Sequence, residues 1–440
     1  MSQLIPAPGG KALWRNRFGR AVGVLVGATP AGVVMRQAVV TVATAATISG
    51  ATLLSAQAAD EWHEALRQEI KWSAAVQSDV HRVYLDEAPL AWRMEIADVL
   101  ARPGAVVHAP GLTGDLARID AGAHAAVVAQ YRATYVGSDT LLGSDRYRMP
   151  QGGQDLPRRL ADVRRSNGGA SLDGPADGDQ RFLVASLLAG ASIPLVGLHL
   201  LLIVVARGRR RRADSHGIEP MVGDSVVVRS RGPAAVARRA AAVVPLLAWA
   251  AVTTLPAVQL HQAKLEIRAQ QVAAIQSVRT STAIACSTTR TTFSTEAKQT
   301  LLVMSATSLG AQLASLDADD AAAAAAATAL SSAHEAVWPR LEQLEQAMSR
   351  PPALADGVDR PTAEVVNASP ADWERLSAVQ RQSADLAHEL GQRAGLLSLA
   401  IFLAALVGVA RRPGAGSWSP TVNLLLMAAS ATVTAWAFAG

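Results

Sequence analysis

The residues best placed for chemistry lie between Thr280 and Thr300, where 11 of 21 residues are Ser or Thr. Hydroxyls donate and accept hydrogen bonds, so such a run can hold a polar ligand without carrying charge. If they face a bundle interior, these side chains, Thr288, Thr291 and Thr292 foremost, would line a polar ligand cavity or a wet seam. If they face outward they form only a polar helix face. Ile284, Cys286 and Phe293 interrupt the run. Ala283-Ile284-Ala285-Cys286 has the form of a lipid-attachment box, but no hydrophobic run precedes it. Cys286 therefore reads as a buried packing thiol, with an intermolecular disulfide as the lesser option.

A second cluster holds Asp60, Glu61, His63, Glu64 and Arg67. One His among flexible acids is a weak metal ligand set, and beside Trp62 the same residues suit a solvated helix start. The remaining histidines have no paired ligand spacing. There is no HExxH, CxxC, GxSxG or Gly-rich phosphate loop. The expectation is a chain with no catalytic, cofactor-binding or metal residues.

The elements that must position these residues are dominated by uncharged blocks. Of 440 residues, 50% are hydrophobic, 18% charged and 4% aromatic, and only four of the 41 basic residues are Lys. An Ala- and Arg-rich, Lys-poor usage suggests a bacterial genome of high GC content. The composition excludes wholesale disorder and, with one Cys, a disulfide scaffold. About 20 apolar residues span a bilayer core as a helix. Five blocks approach that length, at 37–58, 182–206, 240–258, 395–410 and 420–440. The segment 37–58 also ends in Ala56-Gln57-Ala58, the form of a signal-peptide cleavage site, but it has 36 residues upstream.

Basic residues set the expected orientation. Residues 1–36 carry five basic side chains and no acid, and 207–239 carry nine Arg against three acids. Arg411 and Arg412 mark the turn at 411–419. With five spans all three lie on one side, expected to be the cytoplasm of a cell membrane, leaving 59–181 and 259–394 outside. Arg207, Arg209, Arg210, Arg211 and Arg212 suit anchoring to anionic lipid headgroups. Without aromatics for base stacking in that loop, no nucleic-acid partner is expected.

The two outer segments read as helical. In the first, a helix from residue 59 meets Pro89, where Asp86 could cap a new one. Another helical stretch covers 112–135, and 137–181 has the Gly-rich composition of a flexible linker with one short helix near Leu160. In the second, 259–316 continues the third span outward, and acids before 321–327 start a further helix, kinked at Pro339. Ser369-Pro370-Ala371-Asp372 caps the last, which runs on into the fourth span. At an offset of 202, Arg36 matches Arg238, Gln57 matches Gln259 and Glu64 matches Glu266, suggesting a tandem duplication.

Within the first span, Ala43, Thr47, Ala51 and Ser55 repeat every fourth residue, a stripe that lets helices approach closely in lipid. No span carries Asp, Glu, Lys or Arg in its middle, which argues against a transporter acting alone. The expected fold is an all-α integral membrane protein with about five transmembrane helices and two extracytoplasmic helical-bundle domains. Its plan resembles the helical sensory ectodomains of bacterial receptors in topology alone. The expected role is a non-catalytic envelope sensor, adaptor or assembly scaffold, or else a subunit of a membrane secretion or channel complex. Its expected partners are the lipid bilayer and a membrane or envelope protein or a second copy.

Overall fold

The computed structural model describes residues 30–102, 112–150, 153–167, 176–216, 233–317, 321–349, 359–409 and 420–439. Among them the regular structure is helical, with one isolated antiparallel bridge between Arg148 and Gln154. In chain order the helices are α1 (Pro30–His81), α2 (Ala88–Ala101), α3 (Leu112–Tyr135), α4 (Leu156–Ser166), α5 (Ala176–Gly190) and α6 (Ser192–His216). There follow α7 (Pro233–Leu316), α8 (Ala321–Glu335), α9 (Trp338–Ser349), α10 (Arg360–Val366), α11 (Pro370–Val409) and α12 (Pro420–Ala439). The chain divides into two units, one of residues 1–64, 174–271 and 382–440, the other of 65–173 and 272–381.

Five helical stretches are long and apolar enough to cross a membrane: Met35–Ala101, Asp177–Val205, Val243–Leu316, Pro370–Val407 and Val422–Ala439. In the first unit the usual placement of side chains is inverted. Val42, Leu53, Leu187, Leu201, Val204, Leu425 and Trp436 are each more than half exposed, while the interior holds Ala51, Ala189 and Ala257. Large side chains outward and small ones between helices is what packing in hydrocarbon favours, because lipid solvates Leu and close backbone approach gains dispersion energy. Pro194 has no N–H to bond the carbonyl of Gly190. The helix breaks there between α5 and α6, and the Ser192 hydroxyl donates to the Ala189 carbonyl at 2.7 Å. Helix α7 continues through Pro245 and Pro256.

The second unit differs from the two bundles the sequence suggests. Residues from both excursions bury their apolar faces in one core: Trp72, Val76, Tyr84, Trp92, Leu141, Tyr147 and Leu160 from the first, with Cys286, Phe293, Leu301, Val337 and Val366 from the second. The segment expected to be a flexible linker is also ordered where described. Leu141, Tyr147, Leu156 and Leu160 are at most 2% exposed, because four apolar residues spaced through a Gly-rich sequence suffice to anchor it.

Local termini follow from residue chemistry. Asp86 caps no helix. Instead a π-helical turn, Arg82–Glu87, joins α1 to α2, and the Ala88 N–H bonds the Val83 carbonyl, one residue beyond the α-helical partner. This widened turn precedes Pro89, whose ring the ordinary helical ladder would not admit. Gly137, at φ 74°, stands just beyond α3 in a conformation that side chains with a Cβ rarely adopt. Ser369 and Asp372 form a reciprocal cap at the start of α11. The Ser369 N–H donates to Asp372 at 3.0 Å and the Asp372 N–H to the Ser369 hydroxyl at 3.4 Å. The Ser369 N–H and the Ser369 hydroxyl, which donates at 2.7 Å, hold the Asp372 carboxyl below its ordinary pKa. A turn separates α8 from α9, so Pro339 sits in the first turn of a new helix and kinks no longer one.

Candidate functional site

On the second unit, α7 presents hydroxyls along one side: Ser287, Thr288, Thr291, Thr292 and Thr295 line an open groove of about 480 Å³. Glu296 and Gln299 continue the same side, and Trp373 of α11 also lines the groove. The spacing explains the surface, since positions three, four, seven and eight apart fall on one helical face. The opposite face carries Ala283, Cys286, Phe293, Ala297 and Leu301 into the core. The threonines therefore sit outside the bundle and not within it, and Thr288, Thr291 and Thr292 are exposed.

The groove's hydrogen-bonding character is set by the helix itself. The hydroxyls of Thr288, Thr292 and Thr295 donate to the carbonyls of Ile284, Thr288 and Thr291 at 2.8, 2.9 and 2.9 Å. With those protons committed, each presents lone pairs and a methyl group to the groove. Glu296 adds a carboxylate, whose charge is matched by Arg93 at 3.2 Å. The result is a hydroxyl-rich, nearly charge-balanced trough that offers acceptors at Thr288, Thr292, Thr295 and Glu296, donors at Ser287, Thr291 and Gln299, and one aromatic side chain.

The unit also buries charges that composition and spacing did not single out. Arg159, 2% exposed, grips Glu87 through two hydrogen bonds of 2.8 and 2.7 Å and donates to the Tyr147 hydroxyl at 3.2 Å. Burial works against this guanidinium's charge, yet the bonds to Glu87 and Tyr147 raise its pKa above the ordinary arginine value. Glu87 also accepts the Leu141 N–H at 3.1 Å, tying the π-turn to the loop after α3. Arg164 reaches Asp79 at 3.1 Å, and Arg279 holds Glu69 at 2.7 and 3.0 Å. Glu95 accepts the Gly153 N–H at 3.1 Å and faces Arg340 at 3.6 Å, and burial lifts its pKa. A second opening, about 500 Å³, lies beside the π-turn and includes His81, Arg82, Asp86 and Glu87. No spacing rule reveals these pairs, because their partners are far apart in the chain.

Most of the other residues singled out by the sequence fall in the first unit or outside the described set. Ala51 and Ser55 are buried while Ala43 and Thr47 are half-buried, and Ala51 packs with Ala189 and Ala257 of the same chain. His63 Nδ1 lies 2.6 Å from the Ala59 carbonyl, and Glu61 pairs with Arg181 at 2.8 Å. Among the described residues no group of three His, Cys, Asp or Glu converges as a metal site. Arg207, Arg209, Arg210, Arg211 and Arg212 belong to α6, but their side chains lie outside the described residues, as do Arg411 and Arg412. Cys286 is 1% exposed, and burial pushes its thiol up to about 12. No family model matches this chain, and no curated protein or solved structure proves similar to it.

Proposed function

We propose that this chain is a non-catalytic multi-pass protein of the cell membrane, acting as an envelope sensor, adaptor or assembly scaffold through an outward-facing helical unit. The observation that carries the reading is the sharing of helices. α1, α7 and α11 each contribute an apolar, spanning-length stretch to one unit and core residues or groove residues to the other. The basic residues at 1–36 and 207–239 support a cytoplasmic N-terminus, which leaves the second unit outside. Tandem duplication gains support from element order. Among the described residues, 59–181 and 259–394 each have a helix leaving the apolar block, three shorter α-helices and a returning helix.

A photoreactive residue tests this in native membranes when placed at Ile119, Thr291 or Leu309, all exposed on the second unit. A discrete higher-mass species from at least one position is the expected result. Its absence from all three, in membranes where a probe at Leu201 labels lipid, overturns the sensor or adaptor reading.

A further inference from the structure

We infer that the groove between α7 and Trp373 is a binding site for a neutral, hydroxyl-rich ligand of the carbohydrate class, which rests on the outward placement of this unit proposed above. Thr288, Thr292 and Thr295 have their protons bound to helix carbonyls and so offer acceptors, while Ser287, Thr291 and the Gln299 amide can donate as well, so a matching ligand must both donate and accept. An anion would meet lone pairs and the Glu296 carboxylate. A cation would need unmatched negative charge, and Arg93 already sits 3.2 Å from that carboxylate. A purely apolar ligand would desolvate hydroxyls without replacing their water bonds.

Sugar hydroxyls fit the remaining description. They donate to threonine and carboxylate oxygens, while the C–H faces of a pyranose ring need an apolar plane. Trp373, which lines the groove while packing against the core, supplies apolar surface there, and the threonine methyls add more. The open trough of about 480 Å³ admits a short stretch of an oligosaccharide and leaves its ends free, as binding along a polymer requires. Repetition of hydroxyls at successive helical turns gives a periodic track rather than a single pocket.

The test uses the full chain in lipid nanodiscs, which avoid glycoside detergents. The probes are the β-1,4-linked tetramers of N-acetylglucosamine and of glucose, an α-1,4-linked glucose tetramer, and spermidine as a cationic control, followed by saturation-transfer NMR and titration. Binding of at least one tetramer is expected, with an affinity loss of about tenfold or more in Trp373→Ala and in the triple variant Thr288→Val, Thr291→Val, Thr292→Val. The triple variant alters only exposed side chains, so it remains informative if Trp373→Ala, which touches the core, fails to fold. Thr292→Ser keeps the hydroxyl and is expected to bind like the parent. Absence of tetramer binding, tetramer binding untouched by the triple variant, or preference for spermidine each overturns the inference. The photoreactive probe at Leu309 reads the outward sensor role separately, since a species there combined with no sugar binding removes the groove assignment alone.

Discussion

At the scale of single residues, the second unit is specified by ion pairs whose value is conditional on both partners. Arg159 and Glu87 are 2% and 7% exposed. Removing Arg159 leaves Glu87 facing only the half-exposed Arg82 at 3.3 Å, and losing a buried partner costs up to about 3–5 kcal/mol, whereas replacing both costs far less. Arg159→Met is therefore expected to lower thermal stability sharply. Glu87→Gln in the same chain should recover most of the loss, because the amide oxygen still accepts the Leu141 N–H. Circular dichroism melts of the single and double variants check this, and equal losses would refute the pairing. Glu95 provides the pH-dependent counterpart. Burial raises its folded pKa above the ordinary value, partly offset by Arg340 and the Gly153 N–H. The folded state therefore binds its proton more readily than the unfolded chain, so this residue's contribution falls as pH rises through that raised value. Glu95→Gln removes the titration. The variant's stability relative to the parent is expected to increase between about pH 4 and pH 7, and a constant difference across that range would contradict the assignment.

Helices are the scale at which the sequence is most legible, and the reason is visible in particular elements. The uncharged blocks emerge as spanning-length helices because lipid length and helical rise leave few alternatives. Helix α3 covers Leu112–Tyr135, the stretch its pattern suggests, and Ser369 caps α11 because that bond is local. The hydroxylated face of α7 was also readable, but not which way it pointed. Phe293 and Cys286 needed partners such as Tyr84 and Trp72 from a distant segment before the opposite face could turn outward. The same non-local sharing hides the single core, the π-turn that accommodates Pro89, and the order of 138–150. Packing in the apolar unit tests the small-residue stripe of α1. Ala51 is fully buried against Ala189 and Ala257, so Ala51→Leu must force these helices apart at about 1–3 kcal/mol. A lowered unfolding temperature in detergent is expected. The same change at exposed Ala45 is expected to do nothing measurable, and equal effects at both positions would show that the stripe is not a packing face.

For the whole molecule, the decisive quantity is the side of the membrane on which each charged segment resides. The excursions 59–181 and 259–394 carry 14 basic against 18 acidic and 11 basic against 15 acidic residues, whereas 207–239 carries nine Arg against three acids. Moving the Arg-rich segment across a bilayer opposes both the membrane potential and anionic lipid on the inner face. The mixed segments meet a weaker barrier. The chain also provides a low background for measuring this. Its one cysteine, Cys286, is buried with its thiol pushed up to about 12, so at neutral pH it holds almost no reactive thiolate. A membrane-impermeant maleimide is accordingly expected to leave the parent chain unlabelled until it is denatured. Ser281→Cys, at an exposed position of α7, should label on intact cells, and Ser225→Cys, within the Arg-rich segment, only after lysis. Both should stay with the membrane pellet through an alkaline wash, because spans with large apolar side chains facing outward have no stable place in water. Labelling of Ser225→Cys on intact cells would invert the molecule and put the threonine groove in the cytoplasm, away from any envelope polysaccharide. Release of the chain by the wash would remove the membrane as its solvent altogether.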